Sequence, residues 1–213
     1  TVMLLIDVSG SLDFGTSGQL KRECATEIAA TLAFSAIQNN DKIGVIFFSD
    51  YIEKYIAPKK GRKHILYLIR EMLTFTPNSK RTDVGVSLEY LNKVMKRRCT
   101  AFVISDFYTR KDFSQELRIA NKKHDVVAIQ IYDPRAKEMP DVGLMKVVDA
   151  ETGHEMYIDT HDARLRKVHN KYWEEREIRL HEMLSQSHVD SVAIATDDDY
   201  VKMLMTLFSK RNR

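Results

Sequence analysis

Near the start of the chain stands the segment Leu4-Leu5-Ile6-Asp7-Val8-Ser9-Gly10-Ser11, an apolar run that ends on one carboxylate and two spaced hydroxyls. Side chains alternate faces along an extended strand, so Asp7, Ser9 and Ser11 project to the same side. Oxygen-bearing side chains that converge just past a strand end are typical of a site for a hard divalent cation. The segment therefore predicts a buried strand followed by a metal site.

The composition is that of an ordinary globular chain. Its 213 residues are 44% hydrophobic and 30% charged, with a formal net charge of +3, which suits one α/β domain with a full core. The basic residues form short clusters without interleaved aromatic side chains, so we expect solvated helix ends and no nucleic-acid partner. Cys24 and Cys99 lie far apart and outside any CxxC pattern, which predicts buried free thiols in a reducing compartment.

No apolar run in the sequence approaches the roughly 20 residues that a helix needs to cross a bilayer, and no segment is typical of a signal peptide. We therefore expect a cytoplasmic domain without membrane contact of its own, in which any membrane association depends on segments outside this chain. The sequence begins inside an apolar run at Thr1-Val2-Met3. We accordingly expect residues 1–213 to form one domain excised from a longer protein.

Alternation of apolar runs and helical patterns predicts the fold class. The runs that predict strands buried on both faces are 2–8, 43–48, 101–104, 126–132 and 189–195. The helical patterns are 19–37, 64–73, 84–95, 113–122, 164–184 and 200–208. Such alternation predicts a Rossmann-like α/β three-layer sandwich with a mostly parallel central sheet. Residues 50–56 could add an antiparallel edge strand, and residues 145–158 predict a separate hairpin.

Acidic residues follow the predicted strands, at the sheet edge where parallel α/β folds bind ligands. Asp133 and the run 197–199 have a structural explanation, because carboxylates stabilise the positive ends of the helices that follow. Asp7 and Asp106 come directly after apolar strand cores with serines nearby, where an unpaired carboxylate would be costly. Together with the loop residue Thr82, they could complete a set of oxygen ligands.

The order of these residues resembles a known family. Asp7, Ser9 and Ser11 in the pattern DxSxS, followed by the loop residue Thr82 and the strand-end residue Asp106, resemble the metal-ion-dependent adhesion site of von Willebrand factor type A domains. Segments 7–15, 82–84, 104–107 and 196–201 are similar to a bacterial subgroup catalogued as domain of unknown function fifty-eight and linked to MoxR-type AAA+ ATPases. The resemblance implies that the five residues hold Mg²⁺, with Mn²⁺ and Ca²⁺ as alternatives.

The same resemblance implies a protein-interaction domain and no enzymatic activity. A partner protein would supply an acidic residue to the open coordination position of the metal. The full-length protein would act with a MoxR-type AAA+ ATPase in assembling or maturing a complex. Two positions depart from the family pattern: Lys80 and Arg81 precede Thr82 where the family often has glycine, and Phe107 follows Asp106 where glycine is common.

Clustered strand-end aspartates would also suit a metal-dependent phosphohydrolase or nuclease, which is the alternative function. Such enzymes usually need several direct carboxylates, whereas the opening motif has one. Ser9 stands where a haloacid-dehalogenase-type phosphatase needs a second aspartate. The chain has neither GxSxG nor a Gly-rich phosphate loop, and its seven histidines form no HExxH pair and are expected at the surface or at helix ends. These observations favour interaction over catalysis.

Overall fold

The computed structural model describes residues 1–16, 18–109, 111–150 and 152–211. The strands are β1 (Val2–Asp7), β2 (Ile43–Phe48), β3 (Ile52–Lys59), β4 (Thr100–Ser105), β5 (Asp125–Tyr132), β6 (Leu144–Val148), β7 (Glu155–Asp159) and β8 (Asp190–Ala195). The helices are α1 (Lys21–Gln38), α2 (Arg62–Thr74), α3 (Val84–Val94), α4 (Ser114–Lys123), α5 (Pro134–Lys137), α6 (Ala163–Gln186) and α7 (Tyr200–Arg211), and a 3-10 turn spans Gly10–Asp13.

Six of the strands form one sheet in the order β3-β2-β1-β4-β5-β8. Neighbouring strands run parallel except for the edge strand β3, which is antiparallel to β2. Strands β6 and β7 pair with each other in a separate antiparallel hairpin. The predicted mostly parallel sheet, its antiparallel edge strand and the additional hairpin are therefore confirmed.

Helices cover both faces of the sheet. Along β1 the side chains of Leu4 and Ile6 face the helices α1, α2 and α7. Those of Met3 and Leu5 face the other side, where α3, α4 and the end of α6 pack. Burying such a side chain contributes about 1.5–3 kcal/mol, so the continuous apolar runs stabilise two cores. The three-layer sandwich is confirmed.

The position of β1 decides where the functional residues meet. Because β1 lies between β2 and β4, the residues that follow these three strands lie at one edge of the sheet. Helix α3 begins near this edge, capped by Asp83, whose side chain accepts a 3.4 Å hydrogen bond from the amide of Val86. The four-residue helix α5 was not predicted, because it is too short to show a helical period in the sequence.

Both cysteines are buried free thiols, as predicted. Burial raises the pKa of Cys24 to about 12 and that of Cys99 to about 11, so neither thiol has the character of a nucleophile at neutral pH. Among the helices of the described segments, none is long and apolar enough to cross a bilayer.

Candidate metal centre

Asp7 is the last residue of β1 and is 1% exposed. One carboxylate oxygen, Oδ1, accepts a 2.9 Å hydrogen bond from the amide of Ser9. The other, Oδ2, accepts a 2.5 Å hydrogen bond from the hydroxyl of Ser105, the last residue of β4. The carboxylate is thus fixed between the ends of two neighbouring strands.

The two serines of the opening motif turn inward behind Asp7. The hydroxyl oxygens of Ser9 and Ser11 lie 3.1 Å apart, and both residues are buried. Ser11 lies in the 3-10 turn that also contains Asp13. Asp13 points outward, with a side chain 54% exposed and 3.4 Å from Arg22. Asp13 therefore faces solvent, unlike the two serines.

Thr82 lies on a loop whose backbone forms hydrogen bonds with three neighbouring segments of the chain. The amide of Gly10 donates to the carbonyl of Lys80 at 3.0 Å, and the amide of Asp83 donates to the carbonyl of Ser49 at 2.9 Å. The hydroxyl of Thr109 donates to the carbonyl of Thr82 at 3.1 Å. The loop therefore joins the segments that follow β1, β2 and β4.

The hydroxyl of Thr82 and Oδ1 of Asp50, which follows β2, are exceptions among the described polar groups of this region. Thr82 is 7% exposed, and its Oγ1 is buried without a hydrogen-bond partner in residues 1–16, 18–109, 111–150 and 152–211. A buried hydroxyl without a partner costs about 1–3 kcal/mol. Thr82 carries that cost on a loop that is hydrogen-bonded to Gly10, Ser49 and Thr109.

Asp106 follows β4 and is 5% exposed. Its Oδ1 accepts a 2.9 Å hydrogen bond from the amide of Tyr108, and its Oδ2 accepts a 2.6 Å hydrogen bond from the ammonium of Lys21. The side chain of Ser11 lies close enough to help lower the pKa of this carboxylate. Asp7, Ser9, Ser11, Thr82 and Asp106, here called the exit cluster, are all buried at the same edge of the sheet.

The two carboxylates of the exit cluster titrate differently. Burial and the nearby charge of Asp106 raise the pKa of Asp7 to about 7, against the hydrogen bonds from Ser105 and Ser9. Burial also acts to raise the pKa of Asp106, but the Lys21 ammonium and the hydrogen bonds to the carboxylate outweigh it, so this pKa is lowered. Among the described residues Asp7 has no cationic partner, and an added cation would favour its ionised form.

Glu53 on β3 holds the loop that leads to Thr82, a role that the sequence did not indicate. Its carboxylate accepts 3.1 Å hydrogen bonds from the amides of Asn78 and Ser79. It accepts further bonds from the hydroxyls of Ser49 and Tyr51 and from the side-chain amide of Asn78. Burial acts to raise the pKa of Glu53, but these donors outweigh it and lower the pKa. The carboxylate is therefore a fixed anchor for the loop.

Phe107, the residue after Asp106, has a φ of +53°. This left-handed conformation is one that glycine adopts without strain, which gives a physical reason for the glycine that is common at this position in the family. Here the ring compensates by packing against Phe113, with ring centroids 6.1 Å apart. The departure from the family pattern therefore preserves the backbone path that places Asp106.

Asp133 and Asp199 bind helix starts as the structural explanation predicts, whereas Asp198 accepts a 2.8 Å hydrogen bond from the amide of Ala195 at the end of β8. Asp133 caps α5 by accepting a 2.8 Å hydrogen bond from the amide of Arg135, and it also accepts bonds from Thr16. Asp199 accepts a bond from the amide of Lys202 in the first turn of α7. None of these aspartates belongs to the exit cluster. Within the described segments, no three or more His, Cys, Asp or Glu side chains are grouped so as to hold a metal ion.

Solved structures with low sequence identity share the fold. BatB from Bacteroides thetaiotaomicron matches with a TM-score of 0.65 and 14% identity, over 98% of this chain and 97% of that chain. An aerotolerance-related membrane protein from Bacteroides fragilis matches with a TM-score of 0.66 and 14% identity, over 98% of each chain. The SpRpn10 VWA domain matches with a TM-score of 0.53 and 12% identity, over 98% and 93%. The fold is therefore of the von Willebrand factor A type.

Sequence comparisons identify the family. The chain is 34% identical over 152 residues to the Uncharacterized protein Rv1480 of Mycobacterium tuberculosis, and the match covers 70% of this chain and 48% of that protein. It is 28% identical over 160 residues to the Uncharacterized protein MAV169 of Mycobacterium avium, over 74% and 94%. The chain thus spans about half the length of the first relative. A family model described as "Protein of unknown function DUF58" matches residues 1–178, and the chain belongs to this family.

Proposed function

We propose that this domain binds one divalent cation, with Mg²⁺ as the resident ion and Mn²⁺ or Ca²⁺ as alternatives, and uses it to bind a partner protein. Asp7, Ser9, Ser11, Thr82 and Asp106 would hold the ion. The observation that carries the proposal is the buried hydroxyl of Thr82, which has no hydrogen-bond partner among the described residues although it lies at the edge where the other four residues meet. A ligand role gives this hydroxyl the partner that the fold does not supply.

The chemistry of the exit cluster fits a hard cation. All five side chains offer oxygen, which Mg²⁺ and Ca²⁺ prefer. The raised pKa of Asp7 means that burial disfavours its ionised carboxylate in the metal-free protein. A cation beside the carboxylate would remove that penalty. The close approach of the Ser9 and Ser11 hydroxyls, at 3.1 Å, presents two neutral ligands side by side.

The ligand set favours binding over hydrolysis. Three of the five ligands are neutral hydroxyls, so the two carboxylates at most balance the double charge of the cation, and an octahedral ion would keep one open position for a carboxylate of another molecule. Hydrolytic metal centres commonly rely on several acidic or histidine ligands. In the part of the chain that the structure describes, no three or more His, Cys, Asp or Glu side chains lie close enough together to hold a metal ion. We therefore propose a non-enzymatic domain whose partner supplies an aspartate or glutamate.

The partner class is inferred from the family resemblance, and the location from the sequence. The resemblance of segments 7–15 and 104–107 to the subgroup linked to MoxR-type AAA+ ATPases supports such an ATPase as the partner in complex assembly or maturation. We propose a cytoplasmic domain that reaches a membrane only through other segments of a longer protein. The solved structure from Bacteroides fragilis is described as a membrane protein, and its likeness to this chain is one of fold.

Isothermal titration of Mg²⁺ and Mn²⁺ tests the proposal. The wild-type chain is compared with Asp7→Ala and with the matched control Asp13→Ala, which removes an exposed acid six residues away. We expect saturable one-site binding in wild type and Asp13→Ala, loss of binding in Asp7→Ala, and tighter metal binding when acetate is present. Unchanged binding in Asp7→Ala, with both variants folded by circular dichroism, would exclude this site.

A further inference from the structure

A lysine is buried against the exit cluster. Lys21 is the first residue of α1, and its side chain is only 8% exposed. Its Nζ lies 2.6 Å from Oδ2 of Asp106, whose side chain is 6% exposed. Most lysines in folded proteins keep their ammonium in water. The ammonium of Lys21 instead occupies the carboxylate that the proposed metal would need.

The backbone around Lys21 is held firmly, so this contact is built into the fold. The amide of Lys21 donates a 3.0 Å hydrogen bond to the carbonyl of Phe14. The preceding amide, of Leu20, donates a 2.9 Å bond to the carboxylate of Glu23 and fixes the start of α1. The Phe14 ring lies 5.9 Å from Nζ of Lys21. The side chain is thereby directed inward from the first turn of the helix.

A second cation lies close to the same aspartate. The guanidinium of Arg176 on α6 donates a 3.3 Å hydrogen bond to the backbone carbonyl of Asp106. Its central carbon lies 4.5 Å from the centroid of the Tyr108 ring and 5.0 Å from that of the Trp173 ring. Unlike Lys21, Arg176 contacts the backbone of Asp106, so it adds positive charge without occupying a carboxylate oxygen. A divalent ion at the exit cluster would meet both charges.

We propose that Lys21 is a tethered cation that competes with the divalent metal ion for Asp106, so that metal binding requires its ammonium to release Oδ2. The inference rests on the metal site proposed above and adds how its occupancy is limited. In the metal-free protein the ammonium neutralises a carboxylate that would otherwise be buried and unpaired. In the metal-bound protein the two cations would share one carboxylate, and this repulsion weakens the affinity for the metal.

The test is a Mn²⁺ titration of the 213-residue chain as wild type, Lys21→Met, Lys21→Arg and Lys202→Met. Lys21→Met removes the competing charge at similar length, and we expect Mn²⁺ to bind about tenfold more tightly or better. Lys21→Arg keeps the charge and should bind as wild type does. Lys202→Met removes an exposed lysine from α7 and controls for the change in net charge.

Thermal unfolding supplies a second readout. Without its counterion Asp106 is unpaired, so metal-free Lys21→Met should melt at a lower temperature than wild type, and saturating Mn²⁺ should raise its Tm by more than it raises that of wild type. If the methionine variant does not fold, Lys21→Gln replaces it, because the amide keeps a hydrogen-bond donor for Asp106 without the charge.

The outcomes separate this inference from the metal site itself. Equal or weaker Mn²⁺ affinity in the neutral Lys21 variants, with wild-type binding that depends on Asp7, would overturn the competition and leave the metal site standing. Absence of Mn²⁺ binding in both wild type and the neutral variants would overturn the site and the competition together. Mn²⁺ that binds more tightly to the neutral Lys21 variants, but not to Lys21→Arg or Lys202→Met, supports the competition.

Discussion

The amide of Gly10 donates a 3.0 Å hydrogen bond to the carbonyl of Lys80, which joins the loop of the two serines to the loop of Thr82. The two loops approach so closely that a Cβ atom on Gly10 would lie 3.0 Å from the Cβ of Lys80 and 2.6 Å from the carbonyl oxygen of Ala150. A glycine at this position therefore lets residues 73 positions apart in sequence, Ser9 and Thr82, belong to one cluster.

Thr82→Val tests two effects of the unpaired hydroxyl: its cost in stability and its contribution to metal binding. The substitution keeps the shape of the side chain and removes an oxygen that has no partner among the described residues. We expect the metal-free variant to gain about 1 kcal/mol in free energy of unfolding, while its affinity for Mg²⁺ falls. Urea unfolding and calorimetric titration measure the two quantities. A stability loss in the metal-free variant would mean that the hydroxyl already has a partner.

Glu53→Gln tests the anchor of the Thr82 loop. In the glutamine variant an NH₂ group replaces one carboxylate oxygen and cannot accept the hydrogen bonds that this oxygen accepts in wild type. We therefore expect a loss of about 1–3 kcal/mol in unfolding free energy. Metal affinity should fall as well, because Asn78 and Ser79 lose their fixed partner. Glu89→Gln, on the exposed face of α3, is the control. Wild-type metal affinity in Glu53→Gln would show that the loop is held without this carboxylate.

Two substitutions at Phe107, to alanine and to glycine, test whether its left-handed backbone conformation is strained. Both Phe107→Ala and Phe107→Gly lose the ring contact with Phe113 and should be less stable than wild type. At a φ of +53° the alanine variant keeps the left-handed strain that glycine lacks, so we expect the glycine variant to be the more stable of the two by about 1 kcal/mol. Chemical denaturation compares them. An alanine variant that is the more stable would mean that this conformation relaxes.

The buried ring of His124 should make the free energy of unfolding depend on pH. The ring is buried, Nδ1 lies 3.4 Å from the sulfur of Cys99, and Nε2 has no partner in the described segments. Burial, together with the charges of Lys123 and Arg98, lowers the pKa of His124 below its usual 6.5. The unfolded chain therefore binds the proton more readily, and stability is lost as the pH falls below about 6.5.

His124→Gln removes this contribution. We expect the unfolding free energy of wild type to fall more steeply than that of the variant between pH 6.5 and pH 5, with a difference in slope of up to about 1.4 kcal/mol per pH unit. Denaturant titrations at several pH values measure both slopes. Parallel slopes would mean that His124 binds its proton as readily in the folded protein as in the unfolded chain.

Much of the fold follows from local sequence patterns. The apolar runs of β1, β2, β4 and β5 have no polar face, which indicates parallel strands covered on both sides. Placing Asp7 and Asp106 after two such strands was enough to expect them at one edge of the sheet. The histidine expectation was met only in part: His124 does end α4, but it is fully buried.

The groups that hold or oppose the exit cluster could not be predicted in the same way. Lys21 and Glu53 are charged residues at a helix start and on an edge strand, where charged side chains usually face water. Their roles depend on contacts across 85 residues, from Lys21 to Asp106, and across 25 residues, from Glu53 to Asn78. Such pairings are set by the packing of α1 and β3 against the sheet and leave no periodic signal in the sequence.

The anomalous scattering of Mn²⁺ in crystals of this chain, for wild type and for Thr82→Val, tests directly whether the exit cluster holds a metal ion. We expect one strong anomalous peak in wild type, within coordination distance of the hydroxyls of Ser9 and Ser11 and beside Asp106, and a weaker peak or none in Thr82→Val. Crystals saturated with Mn²⁺ that show no peak at the exit cluster, or a peak only at other residues, would contradict the proposed metal site.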